Sequence, residues 1–424
     1  MTARAFSARD GLAYGLLGLP LAFVALPLYV ILPNHYALEF GVPLATLGAV
    51  LLGARLLDAL IDPLIGRVTD RLFSHSTRAV LALGAMAAVA LAAGFALLFF
   101  PPAREPQALL LWASLILVLT YAAYSVLSVA HQSWGAMLGG DELQRSRIVS
   151  WREGLGLVGV LLASVLPALL GLATTAVAFA VLLLLGWLAW TRARPPVPRP
   201  DASSASLWLP FSRPAFRRLL AVFVLNGIAS AVPATLVLFF VQDRLQAPRE
   251  VEPAFLGSYF LCAALSMPLW LRAVRRFGLA RCWLAGMALA MAVFIWATQL
   301  GAGDTVPFLV VCALSGVALG TDLALPGALL AGVIADAGDR GQAEGAYFGW
   351  WNFATKLNLA LAAGLALPLL GLFGYTPGSR SEGALQVLVL AYCLLPCALK
   401  LLAAGTLYLT LIRPGAIPSC NDVC

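Results

Sequence analysis

Apolar stretches of about twenty residues recur along the chain, separated by short polar breaks. Their spacing predicts membrane-spanning helices centred near residues 22, 54, 89, 120, 160, 182, 228, 263, 288, 318, 358 and 398. Lipid offers the backbone no hydrogen-bond partner, so segments of this kind must be helical. The longer stretches around 110–137 and 305–335 predict tilted or kinked helices. One segment, GAVLLGARLLDALIDPLIG over 48–66, breaks the pattern with Arg55, Asp58 and Asp62. At helical spacings of three and four these side chains share a face. Each ionisable group at membrane depth costs roughly 2.5 kcal/mol or more, so this face must meet polar partners or a ligand.

Composition agrees with the pattern. The 424 residues are 61% hydrophobic and 11% charged, and the mean hydropathy of +0.91 is far above that of a soluble globular chain. The first apolar segment, after MTARAFSARD, is longer than a signal-peptide core and lacks a distinct small-residue cleavage site, which predicts a retained helix. Arginine placement predicts orientation. Arg4, Arg9, Arg67, Arg71, Arg78, Arg145 and Arg147 fall on one side, together with six arginines from Arg192 to Arg218, the 272–281 cluster and Arg413. On the other side, Arg104, Arg244, Arg249 and Arg380 are nearly matched by acids. The basic side is expected to be cytoplasmic, with both termini inside a bacterial inner membrane. The net charge of +7 then reflects topology, not nucleic-acid binding.

A Pro-, Ser- and Arg-rich break, TRARPPVPRPDASSASLWLPFSRP, divides the spans six and six. The expected organisation is an all-α integral membrane protein with an N-terminal half over 1–192, a cytoplasmic linker over 193–213 and a C-terminal half over 214–424. Asp62-Pro63-Leu64 lines up with Met267-Pro268-Leu269 about 205 residues on, a weak internal repeat. Parallel six-helix repeats are the design of major facilitator transporters, and Gly66, Asp70 and Arg71 resemble that superfamily's loop after the second helix.

Candidate chemistry lies in buried charge. Asp58 and Asp62 either ligate a small hard cation, H+ or Na+, or form a structural ion pair with Arg55 between helices. Of the 27 basic residues only Lys356 and Lys400 are lysines. Lys356, deep in FGWWNFATKLNLALAAGLALP, either pairs with those carboxylates or snorkels to the interface. Lys400 reads as a snorkeller or structural partner, and Asp322 is a third buried acid of open role. The seven cysteines, Cys262, Cys282, Cys312, Cys393, Cys397, Cys420 and Cys424, match no zinc or redox spacing and read as small packing residues. His35, His75 and His131 are too scattered for a metal site, and no HExxH, GxSxG or P-loop pattern suggests an enzyme.

The phrase Arg55-Leu-Leu-Asp58-Ala-Leu-Ile-Asp62-Pro63-Leu-Ile-Gly66 resembles the R-x-x-D-x-x-x-D-P-x-x-G signature of the glycoside-pentoside-hexuronide cation symporters. Tyr124-Ser125, Arg152 in SWREG and the segment from LPGALLAGVIADAG to NFATKL are similar to other stretches of that family, in order along nearly the whole chain. The resemblance implies a coupling-cation site at Asp58 and Asp62 with Arg55, Ser125 and Lys356. It implies solute contacts from Tyr124, Ser128, Gln132, Arg152, Asn352 and Lys356, and conformational roles for Gly66, Asp70, Arg71 and Glu344. The chain departs from the family where sugar-binding aspartates stand in its melibiose-transporting members. The first helix has no acid, the fourth-helix position is Ser128, and Ile61 precedes the second aspartate. His131, Gln132 and Trp134 supply other polar and stacking groups nearby, and Trp350 and Trp351 are either ring-stacking groups or interfacial anchors.

The expected function is cation-coupled symport of a sugar, glycoside or related small polar solute by alternating access, in a monomer with no cofactor beyond the coupling ion. Export or carriage of a lipid-like solute on the same fold is the alternative, and a receptor or scaffold is the third reading.

Overall fold

A computed structural model of the chain describes residues 6–103, 105–196 and 206–413. Arg4, Arg104, Arg199, Cys420, Cys424 and the 197–205 part of the expected linker lie outside the described residues.

The described residues are helical almost throughout. The helices are α1 (Ala8–Gly15), α2 (Gly18–Phe40), α3 (Leu44–His75), α4 (Thr77–Phe99), α5 (Pro106–Leu138) and α6 (Glu142–Thr191). They continue with α7 (Pro214–Arg244), α8 (Glu252–Phe277), α9 (Leu279–Ala297), α10 (Thr305–Asp336), α11 (Glu344–Leu372) and α12 (Glu382–Ile412). Every centre expected from the sequence falls inside one of these helices. The centres at 160 and 182 share α6, which breaks at Gly171, where φ is 76° and ψ is 167°. Only glycine adopts that backbone region without strain, so one continuous run of residues makes two spans. Among the described residues nine helical stretches are long and apolar enough to cross a membrane. α3 carries Arg55, Asp58 and Asp62, α10 Asp322, α11 Lys356 and α12 Lys400. Leu111, Leu115 and Leu119, spaced at one helical turn on α5, are all exposed, as a lipid-facing stripe requires. This is an all-α, multi-pass membrane protein.

Caps follow local chemistry. Ser7 accepts from the Asp10 backbone N–H while Asp10 accepts from that of Ser7, a capping box that starts α1. Asp141 caps α6 through the Gln144 N–H.

The chain divides into two compact units. The first comprises Met1–Ser212 with Ala331–Phe353, the second Arg213–Leu330 with Ala354–Cys424. In the first, α2 and α1 pack along α6, and α5 packs against both α3 and α4. Its core holds Trp134 edge-on to Trp190, and Phe95 against Phe99 and Phe179. In the second, α12 packs on α7 and α9, around Phe240 stacked on Tyr392. Trp350 donates to the Leu207 carbonyl and packs against the Trp208 and Phe211 rings, so it fastens the turn before α7.

α3 meets the start of α11 at glycines. A Cβ at Gly345 would sit 2.1 Å from the Gly66 carbonyl oxygen, and one at Gly349 2.7 Å from that of Asp62. Only missing side chains let these backbones approach so closely, the small-residue packing that membrane helices favour.

Candidate functional site

Two polar centres sit in the first unit, joined by α5. The first is on α3. Asp58 and Asp62 are 3% and 0% exposed, one helical turn apart. Ser125 of α5 donates its hydroxyl to Asp58 Oδ1 at 2.7 Å across 67 residues of sequence. Pro63 lies inside α3 and has no N–H, so the Ala59 carbonyl, one turn back, has no intrahelical donor. Two carboxylates and a hydroxyl are hard oxygen ligands of the kind a small cation takes, and the carboxylates are equally able to take up a proton. Arg55 lays its guanidinium over the Tyr29 ring, 3.7 Å from the centroid. That cation–π contact ties α3 to Tyr29 of α2.

The second centre is a cavity of about 100 Å³ lined by Gly18, Leu21, Ala22 and Gly156 with Tyr124, Ser128, His131, Gln132, Arg152 and Glu153. One water needs roughly 10–15 Å³ by this measure, so the space suits several waters or part of a small polar solute. Tyr124, Ser128 and Gln132 recur every four residues on α5 and therefore present one face. Gln132 donates its amide to Ser128 at 2.9 Å. His131 stacks on Tyr14 and places Nε2 2.7 Å from the Tyr14 carbonyl oxygen. Arg152 Nε donates to Glu153 Oε1 at 2.9 Å, and Nη2 donates to the same oxygen.

The cavity thus gathers four residues expected to meet the solute: Tyr124, Ser128, Gln132 and Arg152. Of the other two, Asn352 is half-buried on α11 in the first unit, and Lys356 is half-buried on α11 in the second. Trp134, expected among the pocket's stacking groups, does not line it. Its ring packs on Trp190 and its Nε1 donates to the Arg194 carbonyl at 2.9 Å.

Glu153 was not foreseen. An acid beside an arginine in SWREG reads as an ordinary charged turn, and only the packing of α2 and α5 on α6 turns it toward the cavity. It supplies a carboxylate that the cavity-lining residues of α2 and α5 lack.

A third cluster marks the polar ends of α3 and α11, beyond their apolar stretches. Asp70 accepts the Gly345 N–H through Oδ1 at 2.6 Å and the Ala346 N–H through Oδ2 at 2.8 Å, so it caps the start of α11. Burial, and next the nearby Glu344 carboxyl, push Asp70 well above the ordinary carboxylate range, against the pull of those two N–H bonds. Glu344 is fully buried, accepts the Gly341 N–H at 2.7 Å, and is raised by burial from 4.5 to about 7. Gly66 lies at the α3–α11 contact. Arg71 is exposed, and its carbonyl accepts from Ser74 and from His75 Nδ1.

The second unit holds its own buried network. Lys400, 4% exposed, donates to Asn226 at 2.7 Å, Ser230 at 3.1 Å and Asp322 Oδ2 at 3.1 Å. Asn226 and Trp283 each donate to Asp322 Oδ1 at 2.9 Å. Lys400 is therefore a structural partner and does not snorkel, and Asp322 is its counter-ion. Cys262, Cys282, Cys312, Cys393 and Cys397 are free thiols. Among the described residues no group of three or more His, Cys, Asp or Glu side chains is placed to hold a metal ion.

Comparison with known proteins bears on this arrangement. The family described as MFS/sugar transport protein matches residues 11–413. YagG of Escherichia coli (strain K12), a candidate glycoside/cation symporter by its name, is 27% identical over 155 residues, covering 36% of this chain and 33% of that one. The inner membrane symporter YicJ of the same organism is 29% identical over 129 residues, covering 30% of this chain and 27% of that one. The chain thus matches a third or less of the length of these two relatives. Among solved structures, a bacterial homologue of the iron transporter ferroportin, in its outward-facing state, superposes with a TM-score of 0.72 at 18% identity, over 94% of this chain and 98% of that one. The Escherichia coli fucose:proton symporter FucP gives 0.66 at 16% identity over 94% and 99%. At such identities the likeness concerns the fold.

Proposed function

The chain belongs to the MFS/sugar transport protein family, and from that membership we propose that it is a secondary active transporter. It couples the movement of H+ or Na+ to that of a sugar or glycoside by alternating access. The two halves are residues 1–192 and 214–424, joined by a linker over 193–213, and the protein works as a monomer in a bacterial inner membrane with both termini in the cytoplasm. The names of YagG and YicJ support the symporter class.

The observation that carries the reading is the double duty of α5. Ser125 reaches Asp58, while its neighbour Tyr124 lines the polar cavity with Ser128 and Gln132. A cation that draws Asp58, Asp62 and Ser125 together shifts α5, and the same shift resets the solute face one residue away. Cation and solute then bind cooperatively, as reciprocal linkage requires. Asp70 near the end of α3 and Glu344 at the start of α11 serve the conformational change, since Asp70 caps the first turn of α11 from another helix beside the buried Glu344.

The test is made in proteoliposomes. Asp62→Asn is expected to abolish accumulation of solute against its gradient while solute exchange down a gradient survives. Full accumulation by that variant removes the coupling role.

A further inference from the structure

We infer that Glu153 sets the charge selectivity of the α5–α6 cavity, admitting uncharged polyhydroxylated solutes and turning away sugar acids. The inference rests on the cavity being the solute site. Arg152 Nε and Nη2 both donate to Glu153 Oε1, so the guanidinium is already matched by a carboxylate within the lining. The Glu153 side chain is 24% exposed and that of Arg152 16%, so both are within reach of a solute. The remaining polar lining groups are a phenol, a hydroxyl, an amide and an imidazole.

An uncharged polyol finds acceptors and donors side by side here. The Oε2 lone pairs of Glu153 take a hydroxyl proton, and the outer N–H groups of Arg152 donate to a ring or hydroxyl oxygen. A sugar carboxylate meets a different field. To reach Arg152 it must displace Glu153 from the guanidinium or lie beside it, and two carboxylates in a space shielded from water repel strongly. A site built to receive an anion leaves its arginine unmatched, and this one does not. Glu153 also answers the absence of acids from the cavity-lining residues of α2 and α5, since it brings a carboxylate to the cavity from α6.

Uptake by proteoliposomes tests the idea with two panels: glucose, xylose and methyl glucosides as uncharged probes, glucuronate and galacturonate as anions. The wild type is expected to move at least one uncharged probe and neither uronate. Glu153→Gln, which keeps shape but frees Arg152, is expected to raise the uronate-to-neutral uptake ratio at least tenfold, and Glu153→Asp to keep the wild-type exclusion. An unchanged ratio in Glu153→Gln overturns the inference, as does a wild type that prefers uronates. Competition on the wild type tests the same point without any variant: a uronate that inhibits uptake as well as its uncharged parent also overturns it. A wild type that moves no member of either panel overturns the solute-site reading itself, and this inference with it.

Discussion

Asp322 and Lys400 stand 78 residues apart in the chain and 3.1 Å apart in the fold. Each is recognisable in the sequence as a charge in an apolar stretch, but nothing in the spacing of either pairs them. Their ion pair is satisfied from every side, by Asn226, Ser230 and Trp283. Removing one partner strands the other in a low-dielectric interior, at a cost of about 3–5 kcal/mol, whereas replacing both with apolar residues of similar size is close to neutral. Lys400→Met is therefore expected to lower the thermal unfolding midpoint in detergent sharply, and the double variant Lys400→Met, Asp322→Leu to recover much of the loss. A single variant as stable as the wild type contradicts the structural assignment.

Glu344 offers a second test at the same scale. Its pKa is about 7 in the fold against an ordinary 4.5. An acid so raised holds its proton more tightly folded than unfolded. The penalty for ionising it is absent below about 4.5, grows as pH rises to about 7, and is constant above that. Stability should fall across this window, by up to about 3 kcal/mol at 1.36 kcal/mol per pH unit. The raised Asp70 acts in the same direction. Unfolding midpoints from pH 4.5 to 8 check this, and Glu344→Gln should remove most of the slope. A slope unchanged in that variant locates the titration elsewhere.

Among elements, the contact of α3 with the first turns of α11 depends on what is missing. A methyl at Gly345 would lie 2.1 Å from the Gly66 carbonyl oxygen, and that oxygen belongs to backbone that cannot rotate away. Gly345→Ala should force the helices apart, cost about 1–3 kcal/mol as overpacking does, and pull Asp70 from the Gly345 and Ala346 N–H groups. Gly53→Ala, on the same α3 where a Cβ meets nothing within 4 Å, should be neutral or slightly stabilising. Parallel unfolding and uptake measurements on the two variants separate a packing effect from a general loss of helical glycine. Most helices are legible in the hydropathy pattern. The break in α6 at Gly171 is less so, because a glycine in an apolar run is silent about its φ until the neighbouring turns are placed.

For the whole molecule, cation binding should appear as stability. A ligand that binds only the native state stabilises it by about 2.7 kcal/mol at a hundredfold excess over its dissociation constant. At constant ionic strength, the unfolding midpoint is expected to rise with sodium if sodium is the coupling ion, and with acidity alone if it is the proton. Measured in a Glu344→Gln background, so that the titration of that acid does not contribute, the response should vanish when Asp58 and Asp62 are both asparagine. A response that survives both substitutions places the cation at another site.

The two compact units show where prediction from pattern stops. The break near residue 213 coincides with the Pro- and Ser-rich connector, but residues 331–353 group with the first unit and the remainder of α10 and α11 with the second. No composition change marks those crossings, because they follow from which helix faces pack. The sequence alone determined the membrane class, the helices and the shared face of Arg55, Asp58 and Asp62. Lipid forces the backbone into helices, and helical geometry ties residues three and four apart. The Ser125–Asp58 bond was foreshadowed only by family resemblance. The cap of Asp70 on a helix 275 residues away, the Lys400 network and the turn of Glu153 into the cavity were decided by tertiary structure alone. Contacts between helices depend on their rotation and depth against one another, and those are set by the packing of the whole bundle.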